Sequence, residues 1–178
     1  MNIAEAQRDI RLAYFSGATG ALASGLAWLA AGVISHFTAP IFGVLALYVG
    51  GMFMFPVGVL IGKSIGCTGK HSPDNPLARL AIAGTIYMLL YYPVAMVVFL
   101  YNSAWFFPAM LLNVAGRYLV FQTFYGMRVY WLFSAALALG AIVLVLVQAV
   151  PTAGALAGGL IEIVFSIVLF LGHRRNTT

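Results

Sequence analysis

The chain has 178 residues, of which 63% are hydrophobic and only 7% charged, with a mean hydropathy of +1.01. Soluble domains carry about 25% charged residues, and disordered tails need low hydrophobicity with many charges, so both classes are excluded. A membrane-spanning helix takes about 20 residues, so six spans fill the chain and leave no room for a soluble domain. The net charge of +5 does not point to nucleic acid, because the nine cations are spread along the whole chain.

In chain order, the N-terminal segment Met1 to Arg11 is charged and mildly amphipathic, with Asn2 and Glu5 spaced as a helix cap and its reciprocal partner. Apolar runs then predict spans at Leu12 to Ile34, Pro40 to Ile61 and Leu77 to Leu100. Three more follow at Ala104 to Tyr125, Arg128 to Ala149 and Pro151 to Gly172. Asn75 before Pro76, and Pro40 and Pro151 at span entrances, are helix-start signals. The first run is longer than a signal-peptide core and lacks a cleavage pattern, so it is expected to remain in the mature chain.

The cations fix the count and orientation. Arg8, Arg11, Lys63, Lys70, Arg79, Arg128, Arg174 and Arg175 all fall on one side of a six-span topology, and the turns of the other side carry no Lys or Arg. The positive-inside rule then places both termini in the cytoplasm of a cell whose inner membrane holds the protein. The expected architecture is an all-α membrane protein, a compact six-helix bundle forming a single integral membrane domain over residues 1–178 with short outer turns. Cys67 is the single cysteine, so no intramolecular disulfide forms and the thiol is expected to be a bystander. The basic loop from Gly62 to Asn75 reads as a solvated segment on an anionic leaflet.

Lipid gives helices little hydrophobic incentive to associate, so small residues at four-residue spacing mark packing faces. Gly58, Gly62 and Gly66; Ala13, Gly17, Ala21 and Gly25; and Gly154 and Gly158 have this spacing. They fit packing within the chain or between copies equally well. Pro56, Pro93 and Pro108 lie inside predicted spans, where each removes a backbone hydrogen bond. Their unequal depths, and the lack of self-similarity between the halves, give no support to an inverted repeat.

Two charges lie within the spans. Glu162 is about ten residues, roughly 15 Å, from the inner end of the sixth span, and Arg117 about nine residues, roughly 13 Å, from that of the fourth. Their matched depth suggests a pair. Asn113 lies one turn from Arg117, Ser166 one turn from Glu162, and Tyr87 and Tyr91 of the antiparallel third span fall at similar depth. Glu162, Arg117, Asn113, Tyr87, Tyr91 and Ser166 therefore form the candidate ligand- or ion-binding set. An uncompensated carboxylate in hydrocarbon protonates before it stays charged. Two plainer readings compete: a buried ion pair that fixes register, or a shorter fourth span from which Arg117 snorkels past an interfacial belt of Tyr118, Phe121, Phe124, Tyr125, Tyr130 and Trp131.

No catalytic constellation is recognisable. Gly62-Lys63-Ser64 lacks the glycine spacing of a phosphate loop, and His36, His71 and His173 lie in separate places, so neither a metal nor a cofactor is expected. Expected partners are membrane lipids and a small solute or ion, with self-association left open and nucleic acid not expected. The leading function is binding or transport of a small solute, ion or lipid. The alternative is a non-transporting accessory or scaffold protein acting through helix association, and a membrane-embedded enzyme ranks behind both.

The runs Phe55-Pro56-Val57-Gly58, Gly69-Lys70-His71-Ser72 with Asn75-Pro76-Leu77, Trp105-Phe106-Phe107-Pro108-Ala109-Met110, Gly116-Arg117-Tyr118 and Tyr125-Gly126-Met127-Arg128 resemble a family of uncharacterised bacterial membrane proteins. The resemblance covers nearly the whole chain. It implies a six-helix membrane protein and carries no activity, ligand or site residue over to this sequence.

Overall fold

A computed structural model describes residues 1–175, which form seven α-helices and no strand among the described residues. A short helix, α1 (Ile3–Ala13), precedes six helices long and apolar enough to cross a membrane: α2 (Ala18–Phe37), α3 (Pro40–Ser64), α4 (Ala78–Tyr101), α5 (Phe106–Tyr125), α6 (Val129–Leu146) and α7 (Pro151–Arg175). One-turn 3₁₀ segments, Phe15–Gly17 and Ser103–Trp105, lead into α2 and α5.

The expected first span is corrected at its start. Leu12 and Ala13 end α1, and the chain then turns through three consecutive left-handed residues, Phe15 (φ 51°), Ser16 (φ 53°) and Gly17 (φ 83°), before α2 begins at Ala18. The physical reason lies in α1, whose polar residues bond to the end of α5 and to the loop between α3 and α4, so it does not continue into the apolar span. Asn2 and Glu5 form the expected capping box, each side chain accepting the other's backbone N–H at 2.9 Å. Further along, Gln7 donates to the carbonyl of Thr123, Arg11 donates to that of Tyr125, and Asp9 accepts from the Ser72 N–H. α1 thus lies across the end of the bundle where α5 ends and α4 begins.

Asn75 ties this layer together. Its amide nitrogen donates to the carbonyl of Ala6 at 3.0 Å and to Asp9 at 2.8 Å, and its oxygen accepts from the Leu77 N–H just ahead of α4. Asn75 is buried, so Asn75→Ala leaves Asp9 and the Ala6 carbonyl short of a donor. The variant is expected to lose about 1–3 kcal/mol, with faster tryptic cleavage at Arg8 and Arg11 than in the parent. Unchanged cleavage would show that α1 is held by other contacts.

α2 is the centre of the bundle, packed on one side by α3 and on the other by α7. Glycines make this possible. A Cβ on Gly58 of α3 would stand 3.1 Å from the Gly20 backbone, and one on Gly25 would meet Ile163 at 2.7 Å and the Gly159 carbonyl at 3.1 Å. A Cβ on Gly158 would stand 2.6 Å from the Trp28 ring. These small-residue faces are therefore used within the chain. Gly17 belongs instead to the left-handed turn, and Gly66 lies beyond the end of α3 with a φ of 94°.

The hairpin of α5 and α6 closes against α7, and α4 leans on α5. Pro56 and Pro93 are inside helices, but Pro108 is the third residue of α5, where its missing N–H breaks no hydrogen bond. α5 runs to Tyr125 and ends on Gly126 in the left-handed conformation (φ 66°). The residues of the alternative aromatic belt are largely internal. Tyr118, Phe124, Tyr125 and Tyr130 are buried, Tyr118 stacks on Phe133 at 3.8 Å, Phe133 on Phe165 at 4.3 Å, and of that set only Trp131 is exposed. Burial also pushes the Cys67 thiol up from its ordinary range, which favours its protonated form.

Candidate functional site

Glu162 is fully buried at the level where α7 crosses α2 and α5. The missing side chain of Gly25 lets the α2 backbone approach, and a Cβ there would lie 3.2 Å from the Glu162 Cβ. One carboxylate oxygen, Oε2, accepts a 2.9 Å hydrogen bond from the Tyr118 hydroxyl of α5, and Ser24 of α2 faces the same group. The other oxygen, Oε1, is buried without a hydrogen-bond partner. One turn along α7, the Ser166 hydroxyl donates to the Ala18 carbonyl in the first turn of α2 at 2.8 Å. Ser166 thus anchors the helix beside Glu162 and does not touch the carboxylate oxygens.

Arg117 points elsewhere. Its guanidinium lies over the Phe121 ring at 5.0 Å, and Nη1 donates to the Met88 sulfur at 2.9 Å, while Nε is buried and unpartnered. The side chain is half-buried, and among the described residues it forms no salt bridge with Glu162. The expected pair is therefore replaced by two separate attachments. Arg117 and Tyr118 are adjacent in sequence, so their side chains leave α5 about 100° apart, which sends one toward α4 and the other toward α7.

The remaining candidates follow Arg117. Asn113, one turn away on α5, is 1% exposed, and neither its amide nitrogen nor its oxygen has a partner. Tyr87 places its hydroxyl against Gly116, where a Cβ would come within 3.2 Å, and Tyr91 packs half-buried against the core. The single polar layer expected from matched depths is thus divided by α5 into a Glu162 side and an Arg117 side.

The two sides meet at a small cavity of about 20 Å³ lined by Ser24, Gly51, Met54, Met88, Tyr92 and Val114, among others. Ser24 turns toward Glu162 and Met88 holds Arg117, so the cavity lies between the two charges. Its volume suits one water-sized occupant. Tyr92 of α4 also joins the cavity wall to α3, stacking on Tyr48 at 4.6 Å and accepting the Tyr48 hydroxyl on its carbonyl.

Sequence reasoning missed Tyr118, Ser24, Met88 and Tyr92. A serine and a tyrosine inside apolar spans were visible signals. Which face of α5 each side chain takes is settled only by packing.

Among the described residues no group of three or more His, Cys, Asp or Glu could hold a metal ion. A family model for a family of unknown function matches residues 3–172, nearly the whole chain. The chain belongs to this family, DUF7010. No curated protein and no solved structure matches it. Membership in DUF7010 agrees with the resemblance drawn from the motifs, and six candidate spans make the chain a multi-pass membrane protein. Arg117 and Glu162 both lie within the matched region of DUF7010.

Proposed function

We propose that the protein binds or moves a small solute or ion within the membrane, with Glu162 as the exchanging group. The observation that carries this reading is the buried Oε1 with no partner, on a carboxyl group that no cation of the described chain pairs. A charged carboxylate so placed costs several kcal/mol, and ionisable groups inside membranes mark ion and proton pathways. Glu162 therefore takes up a proton or a small cation, steadied by Tyr118, with Ser24 linking it to the central cavity.

The accessory-protein alternative relied on glycine faces meeting a partner. Those at Gly25, Gly58 and Gly158 meet helices of the same chain, which favours the Glu162 reading. The clustering of Arg8, Arg11, Lys63, Lys70, Arg79 and Arg128 at the end of the bundle where α1 lies supports a cytoplasmic position for that end in an inner membrane.

The test is a proteoliposome carrying a pH gradient and an entrapped pH dye, read beside the infrared carbonyl band of a buried carboxylic acid. Wild-type protein is expected to dissipate the gradient faster than empty vesicles and to show a titrating band. Glu162→Gln should lose both while melting at an unchanged temperature. A wild type indistinguishable from empty vesicles, with no titrating band, would sink the proposal.

A further inference from the structure

Given Glu162 as the exchanging group, we infer that the species it takes up is a proton and that the site excludes alkali-metal ions. A carboxyl group that took up sodium would keep the proposed function and end this narrower reading of it.

Oxygens near Glu162 are too few for a metal ion. An alkali ion that sheds its water inside a membrane needs a shell of oxygens in its place, as rings of carbonyls supply in selectivity filters and unwound helix carbonyls in transporters. Around Glu162 the described side chains offer Oε1, the Tyr118 hydroxyl already bonded to Oε2, and the Ser24 hydroxyl. The next hydroxyl along α7, that of Ser166, is turned to the Ala18 carbonyl. The backbone adds nothing, because α2, α5 and α7 run unbroken past this level and their carbonyls accept within their own helices. Interior prolines, which free carbonyls, belong to α3 and α4 and not to the helices that meet at Glu162.

Space sets a second, independent limit. A Cβ on Gly25 would lie 3.1 Å from the Gly159 carbonyl, and one on Gly159 would lie 3.0 Å from the Gly25 carbonyl. α2 and α7 therefore touch backbone to backbone beside Glu162, with no gap for an ion. The cavity beyond Ser24 measures about 20 Å³, room for one water and not for an ion that carries its hydration shell. Its walls are largely apolar, and the thioethers of Met54, Met88 and Met110 are weak acceptors. Met88 also receives the Arg117 guanidinium on its sulfur, which sets a positive charge behind that wall against any cation that stays charged.

A proton escapes both limits. It forms one O–H bond, and Oε1 is the carboxylate oxygen without a partner. The carboxylate and the proton leave a neutral carboxyl group, which removes the cost of a buried charge. A metal ion bound there would instead leave two charges in hydrocarbon, each incompletely surrounded. The new O–H needs an acceptor, and the Ser24 hydroxyl that faces the carboxyl group can accept as well as donate.

The test is a competition between protons and alkali ions at one identified carboxyl group. Glu5 and Glu162 are the two glutamates of the chain, so isotope-labelled glutamate in full-length Glu5→Gln protein marks Glu162 alone, and the capping box tolerates glutamine at that position. Wild type compared with Glu162→Gln assigns the same infrared band without a label. The reconstituted protein is titrated in choline chloride and then in lithium, sodium or potassium chloride of equal ionic strength. The Glu162 carbonyl band is expected to titrate with the same midpoint in all four salts. An ion that competes for the carboxylate would shift the midpoint by about one pH unit for each tenfold rise in its concentration. That shift would overturn the inference while leaving Glu162 an exchanging group, whereas a band that does not titrate in any salt would overturn the proposed function and this inference together.

Discussion

Gly17→Ala is expected to be among the most destabilising single-methyl changes in the molecule, at about 2–4 kcal/mol, a fall in melting temperature of roughly 5–15 °C. Two effects add. Gly17 has a φ of 83°, a left-handed conformation in which an L side chain costs about 1–2 kcal/mol. The new methyl would also stand 2.2 Å from the Tyr130 hydroxyl and 3.1 Å from the Tyr125 ring. Tyr130 has no freedom to retreat, because it is fully buried and donates to the Ser16 carbonyl at 2.7 Å. Gly20→Ala, one turn along α2, is the control: its methyl finds no atom within 4 Å, so helix propensity leaves it neutral or slightly stabilising. Equal melting temperatures for the two variants would show that the turn at Phe15–Gly17 does not hold α1 as described.

That turn also shows where the sequence was legible and where it was not. The six apolar runs, their order and the cap at Asn2 followed from composition and spacing, because in hydrocarbon every backbone group must be satisfied within its own helix. The break at Tyr14 to Gly17 did not. Phe15 and Ser16 carry no local preference for the left-handed conformation they adopt, and their placement comes from contacts remote in sequence. The Ser16 hydroxyl shares a hydrogen bond with His173, and the Phe15 ring packs at a tilt against the same imidazole, with centroids 4.0 Å apart. Similarly, the depths of Glu162 and Arg117 could be read by counting residues, but the rotation of α5 could not. A rotation of that helix decides whether Arg117 or Tyr118 faces α7, and it is fixed by aromatic stacking of Tyr118 on Phe133 and by the Ser134 hydroxyl bonded to the Ala115 carbonyl.

Tyr118 and Glu162 are expected to be energetically coupled by about 1 kcal/mol, between the average of about 0.6 and the maximum of about 1.7 measured for hydrogen bonds between membrane helices. Tyr118→Phe removes the donor to Oε2 and leaves the carboxyl group with Ser24 as its remaining neighbour of hydrogen-bonding type. Glu162→Leu removes the acceptor and strands the buried Tyr118 hydroxyl. Each single variant therefore carries the penalty of one unsatisfied polar group, whereas Tyr118→Phe with Glu162→Leu leaves an apolar contact of similar shape. The double variant should be more stable than the sum of the singles implies, and it should melt near the wild type. Strict additivity in thermal unfolding would mean that the hydrogen bond contributes nothing. Function separates the same variants differently. Tyr118→Phe keeps the carboxyl group, so the infrared carbonyl band should persist at a shifted frequency and gradient dissipation should continue. Every variant lacking Glu162 should fall to the rate of empty vesicles, the double variant included. A double variant that is as stable as wild type and inactive would show that the buried carboxyl group is kept for what it exchanges, since the fold does not need it.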